Sequence, residues 1–487
     1  MKVLFVNSNP ERFIKDREPL GIMCLSATLK RAGHEAMLCS PRIRNVERVL
    51  QSFPAQIIAY SITTGDHNFY LMFNEAVKKK NRELFSVFGG PHATFMAGFI
   101  EDNDSVDAVC RGEGDHAFVE FVERFESAKD YHLTPNFYVR RDGKIYRNPI
   151  RNLIDDLDTL PFPDRELVYN PSRLARENKI KNFMTMRGCP YHCSYCFNAS
   201  YNELYKGKGK TLRRRSVDNV LNEILDVTAK YPLELVYFRD DTFILFPDWV
   251  MDFCHQYKRR INIPIVCTAR ADLITEHIAA ELKKANCVSI EMGIETGNND
   301  ISNRVLKRNM DRKQIIEGAH ILHSYGIKVL SENMIGIPGS NLAHDLETYV
   351  LNRKCAVYYA NSSMLQPYFG TDIYEYIKKL NLFNRNIQDS TPEGYLRGES
   401  LLKLKHRKQR ERLNKVIAIS VKLRLPTWLV KSLIYLPLKQ VYALVHIVFK
   451  GYCGSKLYPF RKSFKEQIQI FFQLFEQHHF LGNMKVK

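Results

Sequence analysis

The sequence predicts an α/β protein: an N-terminal Rossmann-like doubly wound parallel sheet, then a partial (β/α)6 TIM barrel, then a helical C-terminal extension. Three observations predict this order. Apolar strand-like runs alternate with helix-period segments in two successive series, a stretch rich in Asp and Pro separates the series, and strand-like runs stop near Asn386. The 487 residues exceed one ordinary core and divide into 1–150, a linker over 151–180, a barrel over 181–385 and an extension over 386–487.

In the first series KVLFVN, EAMLCS, QIIAYSIT, LFSVFGG and VDAVCRG read as strands, and helical spacing recurs over Leu20 to Ala32, Asn68 to Lys79 and His116 to Arg124. Such a sheet is buried on both faces and binds ligands beyond the carboxyl ends of its strands, where SITT, GGPHAT and GEG stand. DDLDTLPFPDRE (Asp155 to Glu166) breaks the pattern. NFMTM, LVYFRDD, IVCTARAD, VSIEMGIE, IKVLSENMIG and SSMLQPY then read as barrel strands, with helices opening at the N-caps Ser216, Thr275 and Asp311. Chemistry in such a barrel sits at the carboxyl ends of the strands. LKLKHRKQRERL reads as a charged helix, and Val416 to Lys450, interrupted by Pro426 and Pro437, as a surface-lying amphipathic helix pair too short to span a bilayer.

Hydrophobic residues at 45% and charged residues at 25% are globular proportions, which excludes collagenous, mucin-like and broadly disordered chains. Of the eleven cysteines only Cys189, Cys193 and Cys196 lie close together, so no disulfide framework is expected and the compartment reads as reducing. The opening MKVLFVNSNP reads as a strand and not a signal peptide, so a cytoplasmic location is expected. The formal charge of +18 is concentrated late: from Leu401 onward 18 Lys or Arg face only Glu411, Glu466 and Glu476.

RGCPYHCSYCF carries the chemistry, just after the first barrel strand. Three thiolates can hold three irons of a 4Fe-4S cluster and leave the fourth iron open for a ligand. Structural zinc, with His192 as a fourth ligand, is the alternative; adjacent ligands on a tight loop give it poor tetrahedral geometry.

The Cys-x3-Cys-x2-Cys pattern, with Tyr195 before its last cysteine, resembles the radical S-adenosylmethionine (SAM) superfamily. YFRDDTF, TARADLI, GIETG, VLKR, MIGIPG and LQPYFGT follow in order and resemble the class whose barrel is preceded by a cobalamin-binding domain, over roughly residues 1–385. The resemblance implies that the open iron chelates SAM, that reductive cleavage yields a 5′-deoxyadenosyl radical, and that an external one-electron reductant of flavodoxin or ferredoxin type supplies the electron. It places Tyr195 in the SAM site, Asp240 and Asp241 against the SAM amino group, Glu295 at the ribose hydroxyls and Arg308 on the carboxylate. Ordinary barrel-mouth ion pairing is the alternative for these charged residues.

PLGIMCLSATLKRAGHEA, SITT, GGPHAT and RGEGD resemble the cobalamin-binding domain, which implies contacts from Ser61, Thr63, Gly89, Gly90, Pro91, His92, Gly112 and Glu113. The Asp-x-His-x-x-Gly motif that ligates cobalt from below does not occur, and His92 is not placed as a lower ligand. The resemblance implies cobalamin-dependent methylation of an unactivated carbon. Radical cyclisation, rearrangement or carbon-carbon coupling on the same cofactors stays open, as does a cluster-bearing scaffold without turnover. The substrate is expected to be a small molecule or lipid-linked. The basic, aromatic extension suits peripheral contact with the cytoplasmic membrane face or a helical cap on the barrel, and nucleic acid is disfavoured because no RNA-binding module is visible.

Overall fold

The computed structural model describes residues 1–7, 18–384 and 400–457, so expectations for 386–399 and 458–487 lie outside the described residues. Among them two compact units form: Met1–Asn178 with Tyr201–Arg213, and Lys179–Ser200 with the described residues from Arg214 onward.

In the first unit β1 (Lys2–Val6), β2 (Glu35–Cys39), β3 (Ile57–Ser61), β4 (Phe85–Gly89) and β5 (Ala108–Cys110) are parallel in the order β2-β1-β3-β4-β5. Helices α1 (Leu20–Arg31), α2 (Ile43–Ser52), α3 (His67–Lys80) and α5 (Asp115–Glu126) connect the strands, with the short α4 (Pro91–Phe95) after β4. Near-continuous burial of the β1 and β3 side chains is what helices on both faces demand. The reversal of strand order between β1 and β3 leaves a crevice at the carboxyl ends.

The structure adds an antiparallel hairpin, β6 (Phe137–Arg141) and β7 (Lys144–Arg147), on the β5 edge. FYVRRDGKIYR carries the signal for it: an Asp-Gly pair between alternating runs. Asp142 and Gly143 both take positive φ, 52° and 73°, as a type I′ turn requires. The Asp/Pro-rich stretch packs on its own unit: Asp164 accepts from Ser26 Oγ at 2.6 Å and pairs with Lys30 at 2.8 Å.

In the second unit β8 (Ile180–Phe183), β9 (Leu235–Phe238), β10 (Ile265–Ala269), β11 (Cys287–Glu295), β12 (Lys328–Ile335) and β13 (Tyr359–Met364) pair in parallel and in chain order, an open six-stranded half-barrel. The three expected caps form. Ser216 accepts from Asn219 N, Thr275 from Ile278 N, and Asp311 makes a full capping box with Gln314. Ile224, Phe253, Leu282 and Leu322 from the outer helices join Ile265, Ile290 and Val329 of the sheet in one core.

The extension departs from the expected pattern. LKLKH is not helical; α6 (Arg407–Lys422), α7 (Thr427–Tyr435) and α8 (Lys439–Leu457) follow, with Pro426 and Pro437 in the breaks. Instead of lying on the surface, α6 buries Leu413, Val416, Ile417 and Val421 against the barrel core beside β13. Arg410, expected on a solvated charged face, is fully buried because it binds both oxygens of Asp345 and the Ser340 carbonyl.

Candidate active site

The cysteine loop leaves the carboxyl end of β8 and is fixed by backbone contacts. Ser194 donates from N to Leu306 O at 3.0 Å and from Oγ to Val305 O at 2.6 Å, while Ile373 N donates to Ser194 O at 2.8 Å. None of the three thiols is in a disulfide; Cys193 is buried, and Cys189 and Cys196 are partly open. Burial pushes Cys189 up to about 12 and Cys196 up to about 11, so iron binding there displaces protons. Asn198 Nδ2 donates to Cys196 Sγ at 3.6 Å, the kind of contact that tunes a cluster potential. Among the described residues no three His, Cys, Asp or Glu side chains converge as a single-ion site needs. A cubane makes a different demand, each thiolate on its own iron, and three thiols outside any disulfide on one pinned loop fit it.

Three residues expected at SAM meet. Tyr195 Oη donates to Glu295 Oε1 at 3.2 Å, and Arg308 donates from Nη1 to Tyr195 Oη at 2.6 Å and from Nη2 to Gly293 O at 2.6 Å. Burial raises the Glu295 carboxyl, with Arg308 and Tyr195 opposing. Burial works against the Arg308 charge, but Tyr195, Glu295 and Cys193 outweigh it and hold the guanidinium protonated. Arg308 Nε is buried with no hydrogen-bond partner. A buried guanidinium with one nitrogen left open is suited to an anion, and the SAM carboxylate fits it.

Room for this trio comes from Gly293, where a Cβ would stand 2.8 Å from Glu295 Oε1 and 3.3 Å from Arg308 Nη2. Glu295 itself holds φ at +63°, as do Lys307 at +54° and Asn309 at +52° around Arg308; strained backbone of this kind gathers at functional sites.

The two aspartates separate. Asp241 stands open at the end of β9, in a crowded recess near the cysteines; burial of the carboxyl raises it and Asn198 lowers it. Asp240 does not fit the expected SAM contact. It is buried, and its oxygens accept from Thr185 N at 2.7 Å, Met186 N at 2.8 Å and Thr185 Oγ1 at 3.0 Å. Its carboxylate is consumed in shaping the turn that launches the cysteine loop. Arg270 has no assigned role in the sequence reading, although TARADLI is a noted motif. Its guanidinium lies 3.7 Å over the Tyr191 ring, donates to Arg308 O at 3.0 Å and pairs with Asp272 at 3.0 Å, tying the cysteine loop to the arginine turn.

In the first unit, Ser61, Gly89 and the loop of Gly112 and Glu113 lie at or just past the carboxyl ends of β3, β4 and β5. Gly90 has φ of +95°, and a Cβ there would meet Ile62 O at 2.8 Å. Pro91 opens α4, and Thr63 N donates to Asp66 Oδ1 at 2.7 Å. His92 is buried, bonded through Nδ1 to Thr64 Oγ1 at 3.0 Å and stacked on His67 at 3.8 Å; burial and then His67 push it down to about 3.

Glu113 is a correction. Its oxygens accept from Arg213 at 2.6 and 3.0 Å and from Tyr201 Oη at 3.0 Å, so the side chain fastens residues 201–213 to the loop and has no carboxylate to spare for cobalamin. Gly112 is required because Tyr205 Oη occupies the Cβ position.

The Radical SAM superfamily model matches residues 183–351, and the B12 binding domain model matches residues 13–122. An uncharacterized methyltransferase of Pyrococcus horikoshii is 26% identical over 421 residues, 83% of this chain and 88% of that protein. Cytidylyl-2-hydroxyethylphosphonate methyltransferase of Streptomyces wedmorensis is 20% identical, covering 69% of this chain and 73% of its own. The anaerobic magnesium-protoporphyrin IX monomethyl ester cyclase of Cereibacter sphaeroides is 21% identical, covering 78% and 64%.

Among solved structures, the cobalamin-dependent radical enzyme OxsB, with aqua-cobalamin and SAM bound, superposes with a TM-score of 0.68 at 16% identity, over 98% of this chain and 75% of that one. The methyltransferase TsrM from Kitasatospora setae gives 0.63 at 15%, over 78% of each. At such identity the two structures speak for the fold. With matching models on both units, the chain belongs to the radical SAM superfamily, as a cobalamin-binding, methyltransferase-like enzyme whose cofactors are a 4Fe-4S cluster, SAM and cobalamin.

Proposed function

We propose that this enzyme methylates an unactivated carbon of a small-molecule or lipid-linked substrate. The observation that carries the reading is the Tyr195, Glu295 and Arg308 trio, with its partnerless Arg308 Nε, on the same unit as three cysteines outside any disulfide, in a chain that also matches the B12 binding model. When bound, the cluster, SAM and cobalamin supply a reducing electron, a radical source and a methyl carrier.

The chain's own residues do the rest. Cys189, Cys193 and Cys196 would hold the cluster by three thiolates, a donor set that leaves it able to bind SAM. Arg308 holds the SAM carboxylate, and the Gly293 notch lets Glu295 and Arg308 approach together. Asp241 offers an acceptor for the SAM ammonium, while Asp240 and Arg270 keep the loop in register from behind. In the first unit, Gly90 and the neighbouring strand ends let a flat macrocycle approach backbone. Radical SAM chemistry takes its electron from an external one-electron reductant, here proposed to be of flavodoxin or ferredoxin type.

The cyclase among the relatives favours a second reading, radical cyclisation on the same cofactors. The discriminating experiment is anaerobic reconstitution with iron, sulfide and cobalamin, followed by turnover with SAM and a reductant. S-adenosylhomocysteine formed together with 5′-deoxyadenosine is expected for methylation. Deoxyadenosine alone overturns methyl transfer, and wild-type SAM cleavage by Cys193→Ala overturns the cluster assignment.

A further inference from the structure

Helices α7 and α8 of the extension are apolar on two sides. Their inner side is accounted for: Val430, Ile434 and Tyr442 are buried in the barrel core cluster. Their outer side is not. Trp428 and Tyr435 stand seven residues apart on α7, and Val441, Leu444, Val448 and Tyr452 follow one face of α8 at helical spacing. These six are between 48% and 68% exposed. A continuous run of large apolar side chains facing water marks an interaction surface, not scattered surface residues.

Charge identifies the partner. No Asp or Glu occurs between Arg412 and Lys465, while Lys422, Arg424, Lys431 and Lys450 are all exposed. Cations around an aromatic and aliphatic stripe match a surface that is anionic outside and apolar just beneath. Among the described residues no helix is long and apolar enough to cross a membrane, so these helices would lie in the headgroup plane. A nucleic acid would engage the cations and leave the aliphatic stripe in water. A second copy of the chain would bring the same excess of Lys and Arg over Asp and Glu face to face.

We infer that α7 and α8 dock this enzyme onto an anionic phospholipid bilayer, with Trp428 and Tyr435 at headgroup level and the Val441, Leu444 and Val448 stripe beneath. The surface lies outside the cofactor machinery, so the inference stands or falls separately from the reaction. It would give the barrel access to substrates that reside at a membrane.

The test is sedimentation of the full-length reconstituted enzyme with phosphatidylglycerol-rich vesicles and, separately, with pure phosphatidylcholine vesicles. Binding to the anionic vesicles that weakens with salt is expected. Replacing Trp428, Val441, Leu444 and Val448 together by Ser should lower partitioning by at least about 100-fold. The pair Lys431→Glu and Lys450→Glu should each cost about fivefold on anionic vesicles and little on phosphatidylcholine. Unchanged thermal melting confirms that the variants fold, and SAM cleavage in detergent-free buffer should stay at the wild-type rate. Absence of wild-type binding to anionic vesicles overturns the inference. So does a serine variant that binds as well as wild type, a dimer that the serine changes dissolve, or retention on RNA in place of vesicles.

Discussion

At residue scale, the proposed SAM contact rests on Arg308, a buried arginine with one nitrogen left without a partner. Arg308 uses Nη1 on Tyr195 and Glu295 and Nη2 on Gly293 O, and Nε is its one nitrogen without a partner. Arg308→Met is expected to weaken SAM binding by about 10- to 100-fold, the worth of a charge-assisted hydrogen bond at a buried site, with iron content unchanged. Equilibrium dialysis with labelled SAM, paired with iron and sulfide analysis, checks it. Gly293→Ala pushes a methyl against Glu295 and Arg308 and should reduce deoxyadenosine formation without loss of cluster. Loss of iron in that variant would mean that the glycine serves the loop and not the SAM pocket.

At element scale, two buried charges decide how segments attach. Asp240 ties the end of β9 to the turn after β8 through two backbone donors and one hydroxyl. Asp240→Ala leaves those amides buried and unmet and should cost about 2–4 kcal/mol in denaturant unfolding, while Asp240→Asn, which keeps an acceptor, costs less. The second charge seats α6 on the barrel. Arg410→Met leaves Asp345 buried without its cation, for an expected loss of about 3–5 kcal/mol, and adding Asp345→Leu should recover most of it. If the double variant is as unstable as the single, shape and not charge holds α6.

At the scale of the whole molecule, stability should depend on pH through the histidines of the first unit. His92 falls to about 3 and His67 to about 4, each first by burial, from an ordinary value of 6.5. The unfolded chain therefore binds protons that the folded chain refuses across that window. The contribution of these two histidines is complete above pH 6.5 and is lost as pH falls toward 4, at up to about 1.4 kcal/mol per pH unit for each. The carboxyls of Asp66, Asp240 and Glu332, raised by burial to about 6, 6 and 7, act with the opposite sign over the same window. Urea unfolding of the wild type and of His92→Leu at pH 7.5 and 5.5 checks this: the substitution should make the protein lose less, or gain more, stability at the lower pH. A slope untouched by that substitution would place the titrating group elsewhere.

Much of this architecture is legible in the chain because it is local. Strand and helix periods, caps such as Asp311, and three cysteines on one turn are written within a few residues of each other, so the parallel strands of both sheets, the order of the barrel strands and the cysteine loop follow from the sequence alone, whereas the β6–β7 hairpin does not. Tertiary contacts decided what one-dimensional spacing does not encode. Asp240 and Asp241 are neighbours of one residue type, yet one faces backbone donors across the strand ends and the other faces the open mouth. Glu113 met Arg213 a hundred residues away, and Arg410, in the most charged stretch, met Asp345 and went inside. The physical reason is common to all three: the fate of a charged side chain depends on whether a partner waits where the fold delivers it, and that partner is distant in the chain.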